Sequence, residues 1–177
     1  KINYDHLLDF SVLSNDVQVY DDSTNAELIE RIQGATVVVT KEIPVGPELL
    51  SQFPESVKLI VEAGTGYNNI DLDAARAKGI TVCNIPAYST ERVAHTAIMM
   101  LLNFASTMQQ QIGMLARGDR SNFTKHLQVP HTEVNGKTLG IIGAGHIGMA
   151  VVKVARALDM NILIHTRTPK EDSEGIR

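Results

Sequence analysis

Tryptophan is missing from the 177 residues, cysteine occurs once, and aromatic residues make up only 5% of the chain. A lone Cys83 excludes an internal disulfide and a cysteine-rich zinc site, and it fits a reducing, cytoplasmic compartment. Long apolar runs are also lacking. The longest, Ala97 to Leu102, falls far short of the roughly 20 residues that a membrane-spanning helix needs, so no membrane partner is expected. The six histidines (His6, His95, His126, His131, His146, His165) form no i, i+4 pair and show no ligand spacing, so no metal site is expected. Positive charge is in deficit: 16 Lys and Arg against 20 Asp and Glu leave a net charge of −4, with no electrostatic reason to expect nucleic acid. No internal repeat or low-complexity segment is visible.

What is present alternates between two periods. Asn3 to Ser14 reads as helical, and Asp16 to Tyr20 alternates as a strand with Val17 and Val19 on one face. Asn25 to Gln33 carries a helical stripe of Leu28, Ile29 and Ile32, with Gly34 past its end. Thr36 to Thr40, TVVVT, has the β-branched content of a strand buried on both faces. Pro47 to Phe53 reads as a short helix and Val57 to Val61 as a second buried strand. Asp71 is placed to cap a helix over Leu72 to Lys78, which Gly79 ends, and Ile80 to Cys83 is a further strand. Strands that alternate with helices in this way predict an α/β fold with a mostly parallel sheet.

The pattern changes near Ile85-Pro86-Ala87-Tyr88-Ser89-Thr90. Glu91 to Leu115 reads as one long helix, a connector between two domains, apolar almost all round from Val93 to Leu102 as if covered on several sides. Its later stripe of Leu101, Phe104, Met108, Ile112 and Leu115 reads as core packing. Gly118 to Asn135 is polar and loop-like.

The strongest local signal follows. Leu139 to Ile142 is a short apolar run leading into Gly143-Ala144-Gly145-His146-Ile147-Gly148, then a helical pattern from Met149 to Leu158, then a strand from Asn161 to His165. A G-x-G-x-x-G that opens a helix inside a βαβ unit is the fingerprint of dinucleotide binding. Gly143 can make the tight turn, Gly145 lets backbone approach a pyrophosphate, and Gly148 lets helix and strand pack closely. The helix N-terminus then presents N–H groups and partial positive charge to the phosphates. A second loop, Glu62 to Asp71, lies beyond the carboxyl end of a strand, where ligands bind in open α/β sheets. Glycines on either side of Thr65 expose main-chain N–H groups for an anion; an ordinary turn into the next helix explains the same residues.

Two stretches, AGTGYNNIDLDAARAKGITVCNIPAYSTERVAH and GKTLGIIGAGHIG, resemble in this order the D-isomer-specific 2-hydroxyacid dehydrogenases, nearest to their glycerate dehydrogenase/hydroxypyruvate reductase branch. The resemblance spans nearly the whole chain. It implies a flavodoxin-like substrate domain over residues 1–89, lacking its first strand, and over 90–177 a connecting helix and the first βαβ half of a Rossmann domain. In such enzymes hydride passes between a nicotinamide and C2 of a 2-keto or 2-hydroxy acid. Carried onto this chain, Thr65 and Gly66 would hold the substrate carboxylate, and Gly143, Gly145, His146, Ile147 and Gly148 would hold the cofactor's phosphates.

The position where NAD-binding members place an acid for the adenosine ribose is Thr166, followed by Arg167 and Thr168, with Lys170 near. Threonine can donate to a 2′-phosphate and arginine can pair with it, so NADP is favoured over NAD. The resemblance further implies a homodimer through the cofactor domain. The family's catalytic arginine, glutamate and histidine would lie beyond residue 177, so none is assigned here and the piece alone is expected to be inactive. Elsewhere, Lys41, just past the strand Thr36 to Thr40, could reach a substrate anion but is expected to be an exposed loop lysine. Asp71 and Asp73 are expected to serve a helix start, and His95 to serve helix packing. The alternatives are a non-catalytic, corepressor-like interaction module of the same fold and an inactive truncated product.

Overall fold

The computed structural model describes residues 2–3 and 5–167. The chain divides into two compact units, Lys1–Tyr88 and Ser89–Arg177.

The first unit is an α/β layer structure. Helix α1 (Asn25–Arg31) starts at a capping box: the Thr24 hydroxyl accepts from the Glu27 N–H, and the Glu27 carboxylate accepts from the Thr24 N–H at 2.8 Å. It is followed by β1 (Val37–Thr40), α2 (Pro47–Ser51), β2 (Leu59–Glu62), α3 (Leu72–Ala77) and β3 (Thr81–Asn84). The strands are parallel in the order β1-β2-β3, with Val38 opposite Ile60 and Ile60 opposite Val82. Leu28, Leu50, Phe53, Val38, Ile60 and Ile80 form the core between helices and sheet. As predicted, Asp71 caps α3, its carboxylate accepting from the Ala74 N–H at 2.8 Å.

Three sequence expectations fail in this unit. Among its described residues, Asn3 to Ser14 forms no α-helix and holds only a 3-10 turn at Phe10–Val12. Asn3 and Asp9 side chains bond backbone N–H groups of Leu8 and Ser11 in place of a helical ladder, and Leu7 is 81% exposed, so nothing rewards an apolar face there. Asp16 to Tyr20 finds no strand partner among the described residues; the Tyr20 ring instead lies under the Arg31 guanidinium, 4.4 Å from its carbon. Strand β1 is buried on one face only: Val38 and Thr40 are covered, while Val37 and Val39 are exposed, because the core helices pack on the Val38 side.

The second unit contains α4 (Thr90–Ala105), α5 (Met108–Ala116), α6 (Ser121–Thr124), β4 (Thr138–Ile142), α7 (His146–Ala157) and β5 (Asn161–His165). β4 and β5 pair in parallel from Thr138 opposite Asn161 to Ile142 opposite His165. Ile98 of α4 packs with Val152 and Ala155 of α7 and Ile162 of β5. The single long helix expected over Glu91 to Leu115 is broken at Ser106 and Thr107. Thr107 sits at φ 52°, and its hydroxyl donates to the Pro130 carbonyl at 2.7 Å. The Thr132 N–H donates to Ala105 O at 2.8 Å, so the returning segment takes up a carbonyl that a continuous helix would have used. Nor is Val93 to Leu102 covered all round: Ala94 and Ile98 are buried, but Met99 and Met100 are exposed. The polar stretch after Gly118 includes the one-turn helix α6, with Asn122 buried and accepting from the Gln128 N–H.

Candidate functional site

In the second unit the glycine turn joins β4 to α7. Gly143 adopts φ +96°, a left-handed conformation that glycine accepts without strain, and its N–H donates to His165 O at 2.9 Å. That bond ties the turn to the end of β5, which sets Thr166, half-buried and bonded, and the exposed Arg167 beside the turn. Thr168 and Lys170 lie outside the described residues.

At Gly148 the packing is tight. A Cβ there would collide with the Gly143 carbonyl oxygen and approach the Ile141 side chain at 3.5 Å. Gly145 is the opposite case: a Cβ would meet nothing within 4 Å. It is the N-cap of α7 with no side chain to cap the helix, and no acid stands in the first turn. The first helical bond runs from the Met149 N–H to Gly145 O, so the N–H groups of His146, Ile147 and Gly148 point out of the helix start unused by the ladder. One glycine is required by the protein's own packing and another leaves room outside it. Together with the uncapped helix start, these residues fit the pyrophosphate of a dinucleotide.

In the first unit the loop after β2 is pinned to the end of β3. The Thr65 hydroxyl donates to Ile85 O at 3.2 Å, Asn84 Nδ2 donates to Thr65 O at 2.8 Å, and the Ile85 N–H donates to Gly64 O at 2.9 Å. The loop's carbonyls and hydroxyl are thereby engaged, and the main-chain N–H groups of Thr65 and Gly66 have no acceptor among the described residues. Gly66 is exposed and Thr65 partly so. Main-chain N–H groups without an internal acceptor suit a carboxylate.

Beneath that loop lies a network that the sequence reading missed. Glu62, 1% exposed, accepts from the Thr40 hydroxyl (3.1 Å), the Glu42 N–H (3.0 Å) and Asn69 Nδ2 (2.9 Å). Asn69 also donates to Ile43 O at 2.8 Å, and its carbonyl accepts from the Val45 N–H. The loops after β1 and β2 are thus held together through one buried carboxylate. A signal was present in the strand sequence LIVE: an acid closing an apolar strand is costly to bury unless donors surround it. Lys41 is not the exposed loop lysine expected. Its side chain is only 27% exposed, its ammonium lies 3.3 Å from where a Cβ on Gly64 would be, and it bonds Glu42 Oε1 at 3.0 Å. The hydrogen bond to Glu42 raises the Lys41 pKa above its ordinary value, opposed by partial burial and helped by Tyr88 and Glu62, so the ammonium stays charged.

The other candidates carry less. Asp73 pairs with Arg76 on the surface. His95 is not buried in helix packing: its side chain is 68% exposed, with Glu91 at 3.8 Å. Among the described residues no cluster of His, Cys, Asp and Glu is able to hold a metal, and no helix is long and apolar enough to cross a membrane.

The family model for the D-isomer specific 2-hydroxyacid dehydrogenase catalytic domain matches residues 6–164. The chain belongs to that family. It is 38% identical over 164 residues to a D-3-phosphoglycerate dehydrogenase of Methanocaldococcus jannaschii, covering 91% of this chain and 30% of the relative. Against a glycerate dehydrogenase of Methylorubrum extorquens the identity is 33% over 150 residues, covering 84% and 48%. The chain therefore spans half the length or less of these relatives. A crystal structure of D-lactate dehydrogenase from Aquifex aeolicus, complexed with NAD and lactic acid, superposes with a TM-score of 0.75 at 31% identity, covering 84% of this chain and 44% of that one. The parallel α/β units described above are those of this dehydrogenase fold.

Proposed function

We propose that this chain supplies the substrate turn and the pyrophosphate turn of an NADP(H)-preferring reductase of small 2-keto acids, hydroxypyruvate and glyoxylate foremost. In this reading residues 1–89 are the substrate domain and 90–177 begin the cofactor domain. The observation that carries it is the contrast between Gly148, which the fold cannot replace, and Gly145, which the fold leaves open. The bound cofactor supplies the hydride that reaches C2 of the keto acid. The chain's own part is to bind and orient. Thr65 and Gly66 N–H groups hold the carboxylate, and Gly143, Gly145, His146, Ile147 and Gly148 hold the diphosphate.

Thr166 and Arg167, with Thr168 next in sequence, take the 2′-phosphate where a carboxylate would repel it. The tie from Gly143 to His165 supports this, since it brings these residues to the glycine turn. The relatives compared carry enzyme names, so a corepressor-like module is not favoured. A homodimer through the second unit belongs to the same reading: Phe104 at 89% and Phe123 at 64% exposure are apolar surface that a partner copy would cover. A cytoplasmic setting is supported by the lone cysteine.

The test is oxidation of reduced cofactor by the intact protein with hydroxypyruvate. Charged hydrogen bonds to the 2′-phosphate predict kcat/KM at least roughly tenfold higher with NADPH than with NADH. No rate with either cofactor overturns the enzyme reading; a preference for NADH overturns the role given to Thr166 and Arg167.

A further inference from the structure

The substrate turn is built around a cation that is already engaged. Lys41 stands beside Gly64, the residue before the Thr65 N–H, with Glu42 bonded to its ammonium and the buried Glu62 carboxylate facing the same side of that glycine. Glu62 accepts from three donors, which the ionised, acceptor-only form of a carboxyl matches. Two carboxylates against one ammonium leave the side chains at this turn with a surplus of one negative charge. The unit's other described cations are committed elsewhere: Arg31 to Glu27, Arg76 to Asp73, Lys78 to the carbonyls of Ser51 and Phe53, and Lys58 at the opposite end of the sheet, before β2.

We infer that Glu42 and Glu62, acting through Lys41, make this turn selective for keto acids with a single negative charge and disfavour those with a second carboxylate or a phosphate. The inference rests on the substrate role proposed for Thr65 and Gly66. A monoanion satisfies the main-chain N–H groups and asks nothing more of the site. A second anionic group would share Lys41 with Glu42, which already offsets its charge, and would meet the surplus negative charge. The turn thereby separates this chain from its 38% identical relative named for a phosphorylated acid. Glu42 is the adjustable member. Its side chain is 79% exposed, so replacing it leaves the core untouched, whereas Glu62 holds both loops in place.

Two measurements on the intact protein test this. The first compares kcat/KM for hydroxypyruvate and 3-phosphohydroxypyruvate in the wild type and in Glu42→Gln. The wild type should prefer hydroxypyruvate, and Glu42→Gln should move the ratio toward the phosphorylated acid by roughly twofold to fivefold, the worth of an exposed ion pair. Added salt should shrink that shift. The second follows the Thr65 and Gly66 amide resonances of isotopically labelled protein titrated with glycolate and with 2-phosphoglycolate. Glycolate should move them in both proteins, and 2-phosphoglycolate should bind more tightly to Glu42→Gln than to the wild type. An unchanged ratio, or equal affinity of the two proteins for 2-phosphoglycolate, overturns the selectivity and leaves the dehydrogenase reading standing. Absence of turnover with every keto acid, together with glycolate binding that discriminates as stated, overturns the dehydrogenase reading and leaves the selective anion site. Amides that respond to neither anion overturn both.

Discussion

Gly148 and Gly145 differ by what one methyl group would touch. Gly148→Ala drives a Cβ into the Gly143 carbonyl, a backbone atom that cannot swing aside, so helix and strand must part. Overpacking of this kind costs about 1–3 kcal/mol, and the denaturation midpoint should fall together with dinucleotide affinity. Gly145→Ala meets open space at φ −79°, a value any residue adopts. Stability should then fall by no more than about 1 kcal/mol, the difference between glycine and alanine at an N-cap, while cofactor affinity falls because the methyl occupies the phosphate's approach. Equal losses of stability in the two variants would remove the argument that Gly145 is kept for a ligand. Both glycines were legible from spacing alone, because the turn demands them at set offsets from one another. Glu62 was not. Its meaning lies in Thr40, Glu42 and Asn69, which only the fold brings around it.

Most elements kept close to the bounds that periodicity suggested, and β5 matched from Asn161 to His165. The exceptions share a cause. Asn3 to Ser14 and Asp16 to Tyr20 have the right period, yet a period earns stability only when something covers the apolar face or pairs the edge. The α4–α5 break is the reverse case. Nothing helix-breaking stands at Ser106-Thr107; the interruption comes from the segment around Pro130 to Thr132, which bonds into the gap. Thr107→Val keeps the branched side chain at φ 52° but removes the hydroxyl that bonds Pro130 O. It should cost about 1–2 kcal/mol, and Thr107→Gly should cost less, since glycine relieves the left-handed backbone that the lost bond had held in place. Denaturant midpoints measured in parallel decide it: a more stable valine variant would mean that the hydroxyl does not hold the break.

For the whole molecule the cofactor is the natural probe of stability, because a ligand that binds the folded state alone raises it by mass action. At a hundredfold excess over Kd this amounts to about 2.7 kcal/mol, so saturating NADPH should raise the melting temperature by roughly 5–10 °C. NADH at the same concentration should raise it less. An equal or larger rise with NADH would set aside the preference read from Thr166 and Arg167. What the amino-acid order determined by itself was the alternation of strands and helices, the glycine turn opening α7, the Asp71 cap and the family, because each rests on spacing between near neighbours along the chain. What only the tertiary structure decided was which periodic stretches found cover, where the long helix broke, and that Lys41, Glu42 and Glu62 share one turn. These depend on atoms that meet across the fold, and no local pattern specifies which atoms those are.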